Sequence, residues 1–169
     1  MVLILFRIYL NNFYFQRLVC SFASLYKMKR DKVNLQRVKR VLLLALSIMN
    51  VGTILELYLL SHYETTEQLI PILCIGCIMA MTIVLNFKRT VVIKTIFKCI
   101  LVITALSGFY GAYLHLVANY EFEQEIKPTA TTLDLFLESF SGAFPALAPF
   151  SMTVLALIGY SYLILINQK

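Results

Sequence analysis

Four long apolar stretches, separated by short charged loops, constrain this chain more than any other feature of its sequence. They cover residues 41–61, 69–87, 95–118 and 146–166. Each has the roughly 20 residues that an α-helix needs to cross about 30 Å of hydrocarbon. A helix also satisfies its backbone polar groups internally, as a membrane requires. The sequence therefore predicts an all-α integral membrane protein, a four-helix transmembrane bundle.

The composition of the 169-residue chain supports the same prediction. Apolar residues make up 60% and charged residues 14%, against about 45–50% and about 25% in soluble domains. The mean hydropathy is +0.79, and so little polar surface cannot cover a water-soluble globule. The net charge is +6, but the basic residues flank apolar stretches. We therefore predict the lipid bilayer as a partner, and no nucleic acid.

The distribution of charge also predicts an orientation. Basic residues concentrate in 27–40, in 88–98 and at the C-terminus, whereas 62–68 and 119–138 are mainly acidic. Lys and Arg favour the cytoplasmic side of a membrane. We therefore expect both termini to be cytoplasmic and both acidic loops to face outward.

Residues 1–27 differ from the rest of the chain. They are apolar, but polar residues such as Arg7 and Arg17 interrupt them, so no uncharged run is long enough to span. Two interpretations remain open. The segment is either an interfacial helix or an extension upstream of a true start at Met28. The four-span domain itself is predicted over 28–169.

The long loop before the fourth span contains its own helical pattern. Thr131 is placed to cap a helix start together with Asp134. Apolar residues then recur at helical spacing, with polar residues on the other face. This pattern predicts a short amphipathic helix over 131–144 on the outer membrane surface. Its apolar positions are Leu133, Phe136, Leu137, Phe140 and Phe144. In the second span, Pro71 is predicted in the first helical turn, where a missing N–H is harmless.

Two polar residues within or at the end of the predicted spans are candidate functional residues. Glu56 lies in the first span, where a mid-bilayer charge costs about 2.5–3.5 kcal/mol on insertion scales. We expect the face that it shares with Gly52 and Thr53 to point into the bundle. Glu56 then either carries a proton or cation, or is a hydrogen-bonded carboxyl near the interface. Asn119 lies at the outer end of the third span, on the same face as His115.

The two histidines predict a metal site near the outer interface, where acidic residues of both outer loops also fall. Imidazole and carboxylate together bind zinc, copper and other divalent ions. No HxxxH or HxxE spacing fixes the site locally, so separate helices would assemble it. The candidate ligands are His62, His115, Glu64, Glu121 and Glu123. The alternatives are a histidine that hydrogen-bonds across helices and a solvated acidic rim.

A CxxC motif, Cys74-Ile75-Gly76-Cys77, lies near the outer end of the second span. The motif and the number of spans resemble the quinone-linked thiol oxidases of bacterial disulfide formation. The resemblance implies a redox role for Cys74 and Cys77. Those enzymes use a second cysteine pair in their long outer loop, whereas residues 119–145 of this chain contain no cysteine. Two cysteines packed within a span are the alternative interpretation.

Three further motifs are similar to those of a group of small bacterial four-span membrane proteins with no assigned activity. They are HYE with QLIP (62–71), the segment GAYLHLVANYEFE (111–123) and FPALAP (144–149). The resemblance covers 28–169 and implies the bacterial inner membrane as the location. It implies no activity.

The functional prediction follows from what the sequence offers. Gly-rich phosphate loops, GxSxG and HExxH do not occur in it. We therefore predict a non-catalytic accessory or assembly component whose outer His/carboxylate cluster meets a larger membrane protein complex or a second copy. One alternative is metal or proton/cation binding linked to transport, with a divalent metal as cofactor. The other is a membrane thiol oxidoreductase that uses Cys74 and Cys77.

Overall fold

The structure, a computed structural model, describes the backbone of residues 2–168 and the side chains of Ser21, Ser24, 28–29 and 32–168. The described backbone is helical, with turns and without strands, which confirms the all-α prediction. A 3-10 turn, Ser139–Ser141, follows the fourth of five α-helices. The α-helices are α1 (Val2–Leu59), α2 (Thr66–Phe87), α3 (Val91–Ile126), α4 (Thr132–Glu138) and α5 (Phe150–Asn167).

The chain divides into two units, Met1–Val41 and Leu42–Lys169. In the first unit, the described side chains of α1 include exposed basic residues such as Lys29, Lys32 and Arg37. Apart from Ser21 and Ser24, the side chains of the predicted N-terminal extension, 1–27, lie outside the described ones. The second unit contains the core and the candidate site.

Within the described residues, four helical segments are long and apolar enough to cross a membrane, in agreement with the predicted number. They are Lys32–Leu59, Thr66–Phe87, Val91–Ile126 and Phe150–Asn167. The last begins at Phe150 rather than 146 because Pro145 and Pro149 enclose a turn, in which Ala148 N–H donates to Pro145 O at 3.1 Å. Pro149, with its fixed φ, then serves as the N-cap of α5.

The position of Pro71 corrects a prediction. A capping box starts α2 at Thr66, because Thr65 accepts from Gln68 N–H and the Gln68 side chain accepts from Thr65 N–H. Pro71 therefore lies in the second turn of the helix, not in the first. The capping pattern Thr-Thr-Glu-Gln (65–68) stands in the sequence directly before Leu69, where the apolar run predicted the start of the span.

Helix α3 is longer than its apolar stretch. It begins after Thr90, whose Oγ accepts from Ile93 N–H at 3.4 Å, and it continues to Ile126. Hydropathy ends the predicted span at Ala118, but Glu and Gln are good helix formers and carry the helix through the acidic residues that follow. Its 36 residues correspond to a length of about 54 Å.

Helix α4, in the long loop before α5, is shorter than predicted: it covers Thr132–Glu138 rather than 131–144. Thr131 caps α4 as expected: its Oγ accepts from Asp134 N–H at 3.2 Å and donates to the Asp134 carboxylate at 2.7 Å. Leu135 and Ser139 are buried. The five predicted apolar positions are instead 44–65% exposed. The apolar face of this segment therefore points away from the rest of the protein.

Helices α3 and α5 pack through glycines. A Cβ atom at Gly108 would lie 2.7 Å from Thr153 Oγ and 2.8 Å from Pro149 O. A Cβ atom at Gly159 would lie 2.6 Å from a methyl group of Leu101. Thr153 also donates across the interface to Ala105 O at 3.2 Å. Gly108 of α3 and Gly159 of α5 therefore allow these two helices to approach closely.

Candidate functional site

The turn that ends α1 positions His62. Ser61 has a positive φ of 52°, and its N–H donates to Tyr58 O at 3.1 Å. The N–H of His62 donates to Leu57 O at 2.8 Å. These two bonds form a Schellman motif, in which a residue in the left-handed conformation ends a helix. The motif stops α1 and fixes the backbone of His62 against its last turn.

His115 of α3 lies next to His62. The two ring centroids are 6.4 Å apart in an edge-to-face arrangement, and the His115 centroid is 6.0 Å from that of Phe144. The structure thus brings together the two histidines that the sequence predicted at one level. They come from different elements, the α1–α2 turn and α3.

A backbone carbonyl fixes the tautomer of His115. Its Nδ1 lies 3.1 Å from Pro145 O. A carbonyl oxygen only accepts hydrogen bonds, so Nδ1 must be the donor. In the neutral ring, Nε2 then keeps its lone pair and is free to accept a hydrogen bond or a metal ion.

His62 favours its neutral form. Partial burial lowers its pKa below the ordinary 6.5, and the neighbouring His115 lowers it further. Burial acts because a charged imidazolium loses hydration, and His115 acts because two positive rings repel each other. The pair is therefore better suited to hold two neutral imidazoles than two cations.

Asn119, one turn after His115 on α3, clamps the loop before α5. Its Nδ2 donates to Ser139 O at 2.8 Å and to Phe144 O at 2.7 Å. Its Oδ1 accepts from Phe144 N–H at 2.8 Å. A Cβ atom at Gly142 would lie 2.5 Å from Asn119 Cγ, so the loop backbone approaches the amide closely. Asn119 is fully buried, and both of its donors are used.

The carboxylates predicted as metal ligands do not complete a cluster with the histidines. Within the described side chains, no group of three or more His, Cys, Asp or Glu residues is placed to hold a metal ion. Glu123 instead lies 3.3 Å from Lys127 Nζ, and Glu138 lies 2.7 Å from the same nitrogen. Glu64 and Glu121 are exposed. Of the five predicted metal ligands, the two histidines His62 and His115 are the ones that the described structure places side by side.

The orientation of Glu56 corrects a second prediction. Glu56 and Gly52 are exposed, and a Cβ atom at Gly52 would meet no atom within 4 Å. The buried face of α1 instead carries Leu46 and Asn50. At 3.6 residues per turn, Asn50 and Glu56 are about 120° apart around the helix. The prediction is wrong because small and polar residues do not by themselves mark the inward face of a helix.

Asn50 is a buried polar residue that sequence reasoning missed. It is 2% exposed, and its Oδ1 has no hydrogen-bond partner within the described residues. An amide in the middle of an apolar span was the available signal, because polar residues at such positions usually face the bundle interior.

The CxxC cysteines have different environments. Cys74 is buried in the apolar core and Cys77 is exposed, and both are free thiols. Cys77 shares its outward face of α2 with Gly76 and Ala80, and a Cβ atom at Gly76 would meet no atom within 4 Å.

Comparisons of the chain with protein-family models, curated proteins and solved structures find no match.

Proposed function

We propose that the chain is a multi-pass membrane protein that serves as a non-catalytic accessory or assembly component of a larger membrane protein. Its four long apolar helices support insertion. Large apolar side chains on their outward faces, such as Ile48, Ile103 and Leu157, are more than half exposed. Lipid would cover these faces. The basic and acidic loops support cytoplasmic termini and an outward His62–His115 end.

The loop helix fits the same topology. The apolar side chains of α4 and the following turn point away from the protein, while Leu135 and Ser139 hold the segment against it. An amphipathic segment at the end of a bundle places such a face in the interfacial region of a bilayer. We therefore assign the 131–144 segment to the outer membrane surface.

One observation carries the accessory role: the outward face of α1 is poorly suited to lipid alone. The Glu56 carboxyl is exposed on this face, and a charge inside a bilayer is expensive. One turn earlier, Gly52 leaves open space where another helix backbone can approach. A close-packed partner helix would remove Glu56 from lipid and satisfy its oxygens.

The partner is a transmembrane helix of a different membrane protein that presents a hydrogen-bond donor opposite Glu56. A second copy is disfavoured by symmetry, because a two-fold contact along α1 repeats the same patch on both sides. It would place one Glu56 carboxyl beside the other. A Lys, Arg, Ser or amide side chain complements Glu56 directly.

The test uses three variants of the tagged full chain, purified from its native membranes in mild detergent. Gly52→Leu fills the open space, and Glu56→Leu removes the carboxyl. Ile48→Leu, on the same face, is a matched control that conserves volume. Because a Cβ atom at Gly52 would have no atom of the described residues within 4 Å, Gly52→Leu should leave the fold intact. A photo-crosslinker at position 52 identifies the contacting helix.

The expected result is a membrane protein that co-purifies stoichiometrically with the wild type and with Ile48→Leu. It should be lost from Gly52→Leu and Glu56→Leu, and should crosslink from position 52 through a transmembrane segment. Equal recovery with all variants would contradict the proposal, as would a crosslink to a second copy of this chain. Purification of the wild type as a single chain would contradict it as well.

A further inference from the structure

We propose that His62 and His115 form a two-imidazole binding site for one divalent transition-metal ion, Zn²⁺ or Cu²⁺. The site is separate from the α1 face that carries Glu56, and the inference does not depend on the partner proposed there. Imidazole nitrogen is a preferred ligand of both ions.

The geometry of His115 supplies one ligand atom. Its Nδ1–H donates to Pro145 O, so Nε2 retains its lone pair. Histidines that bind metals usually donate the other ring N–H to a carbonyl or carboxylate in this way, which orients the ring and increases the basicity of the ligand nitrogen. The second ring, His62, lies with its centroid 6.4 Å away. Metal–nitrogen bonds are about 2.0–2.1 Å long, so small rotations of the two side chains would bring one nitrogen of each ring to a single ion.

The backbone behind both rings is held in place. The three hydrogen bonds of Asn119 fix Ser139 and Phe144, and Pro145 follows Phe144 directly. The Schellman motif fixes His62. Ligands supported by ordered neighbours lose little freedom when a metal binds. His62 and His115 lie on separate elements, and each is held in place by its own hydrogen bonds.

The structure also narrows the ligand set that the sequence predicted. Two imidazoles come from the protein, and water completes the coordination sphere, because the described carboxylates do not join the histidines in a larger cluster. Sites that keep open positions exchange ligands, whereas structural zinc sites have four protein ligands. We therefore expect an exchangeable ion. Glu64 and Glu121 become matched controls rather than ligands.

The experiment measures metal binding directly. The full chain, carrying a tag without histidine, is stripped with chelator in mild detergent and titrated with zinc or copper chloride by equilibrium dialysis. The variants are His62→Gln and His115→Gln, with Glu64→Gln and Glu121→Gln as controls. Far-UV circular dichroism and the unfolding midpoint check that each variant folds. A second measurement needs no variant: the chain has two histidines, and bound metal should protect both from acylation by diethyl pyrocarbonate.

We expect the wild type to bind one ion per chain, and each histidine variant to bind about tenfold or more weakly. The glutamate variants should bind as the wild type does, and both histidines should be protected. The proposal is overturned if the wild type binds neither ion up to about 1 mM, the weak end of specific affinity. Binding that survives both histidine changes would overturn it too. The proposal is also overturned if Glu121→Gln weakens metal binding as much as the histidine variants do. Acylation of both histidines at the same rate with and without metal would overturn it as well.

Discussion

The side-chain amide of Asn119 pairs with the backbone of Phe144 through both of its polar atoms. Nδ2 donates to Phe144 O at 2.7 Å and Oδ1 accepts from Phe144 N–H at 2.8 Å. The side chain thus substitutes for a neighbouring backbone peptide, and it ties a loop to the C-terminal part of a long helix. This contact sets the position of Pro145 and, through it, of His115.

Loss of this amide should destabilise the fold. Asn119→Leu conserves the shape but leaves Ser139 O and both backbone groups of Phe144 without partners. We expect the free energy of unfolding to fall by about 2–3 kcal/mol, since each unsatisfied buried group costs about 1–3 kcal/mol and some regain water. Chemical denaturation in detergent measures the change. Asn167→Leu, at an exposed asparagine that ends α5, is the control. A loss no larger than that of the control would contradict the clamp.

The Gly108 contact predicts a difference between two identical substitutions. Gly108→Ala places a Cβ atom 2.8 Å from the backbone oxygen of Pro149, so α3 and α5 must separate, which typically costs about 1–3 kcal/mol. Gly76→Ala meets nothing within 4 Å and should be neutral or stabilise α2 by about 0.5–1 kcal/mol. The unfolding midpoints of both variants test this. Equal effects would show that α3 and α5 do not pack this closely.

Ser61 predicts a stabilising change. It occupies the left-handed region with φ of 52°, where a side chain costs about 1–2 kcal/mol and glycine pays no such penalty. Ser61→Gly should therefore raise the free energy of unfolding by about 1 kcal/mol. The same substitution at Ser47, inside α1, should lower it by about 0.5–1 kcal/mol. A destabilised Ser61→Gly variant would argue against the Schellman motif.

The pKa of His62 predicts a pH dependence in metal-free protein. Burial and His115 lower the pKa in the folded state below 6.5, so the unfolded chain binds a proton more readily. Stability from this group is therefore present above pH 6.5 and is lost as the pH falls through 6.5 and below. The unfolding midpoint of the wild type should drop more steeply between pH 7.5 and 5.5 than that of His62→Gln. Parallel curves would contradict the assignment. These pH values bracket the ordinary histidine pKa of about 6.5.

Local signals made part of this structure predictable. The four apolar helices and the Thr131 cap depend on neighbours a few residues away, and both predictions were confirmed. The capping box of Thr65 and Gln68 is equally local, and it starts α2 before the apolar run begins. The prediction that Pro71 lies in the first turn of α2 is therefore wrong.

The long-range contacts were not predictable in the same way. Asn119 was recognised as a polar residue at the end of a span, but its partners lie 20 and 25 positions along the chain. The direction of Glu56 depends on which side of α1 other helices cover, and periodicity in an almost wholly apolar segment does not decide that. Periodicity does not identify Asn50, on the covered side, as an inward residue for the same reason. The two histidines were placed at one level by topology, and only the fold brought their rings together.

The length of α3 has a mechanical consequence. Once its apolar part lies in a bilayer, the turns after Ala118 project about 12 Å beyond the span, and the loop folds back against this extension through Asn119. The extension and the membrane-embedded part are one continuous helix. A force applied to the loop would therefore act on a single helix whose apolar part packs against α2 and α5. A protein that binds the loop between α3 and α5 would therefore be able to tilt α3 in a bilayer without entering the bilayer itself.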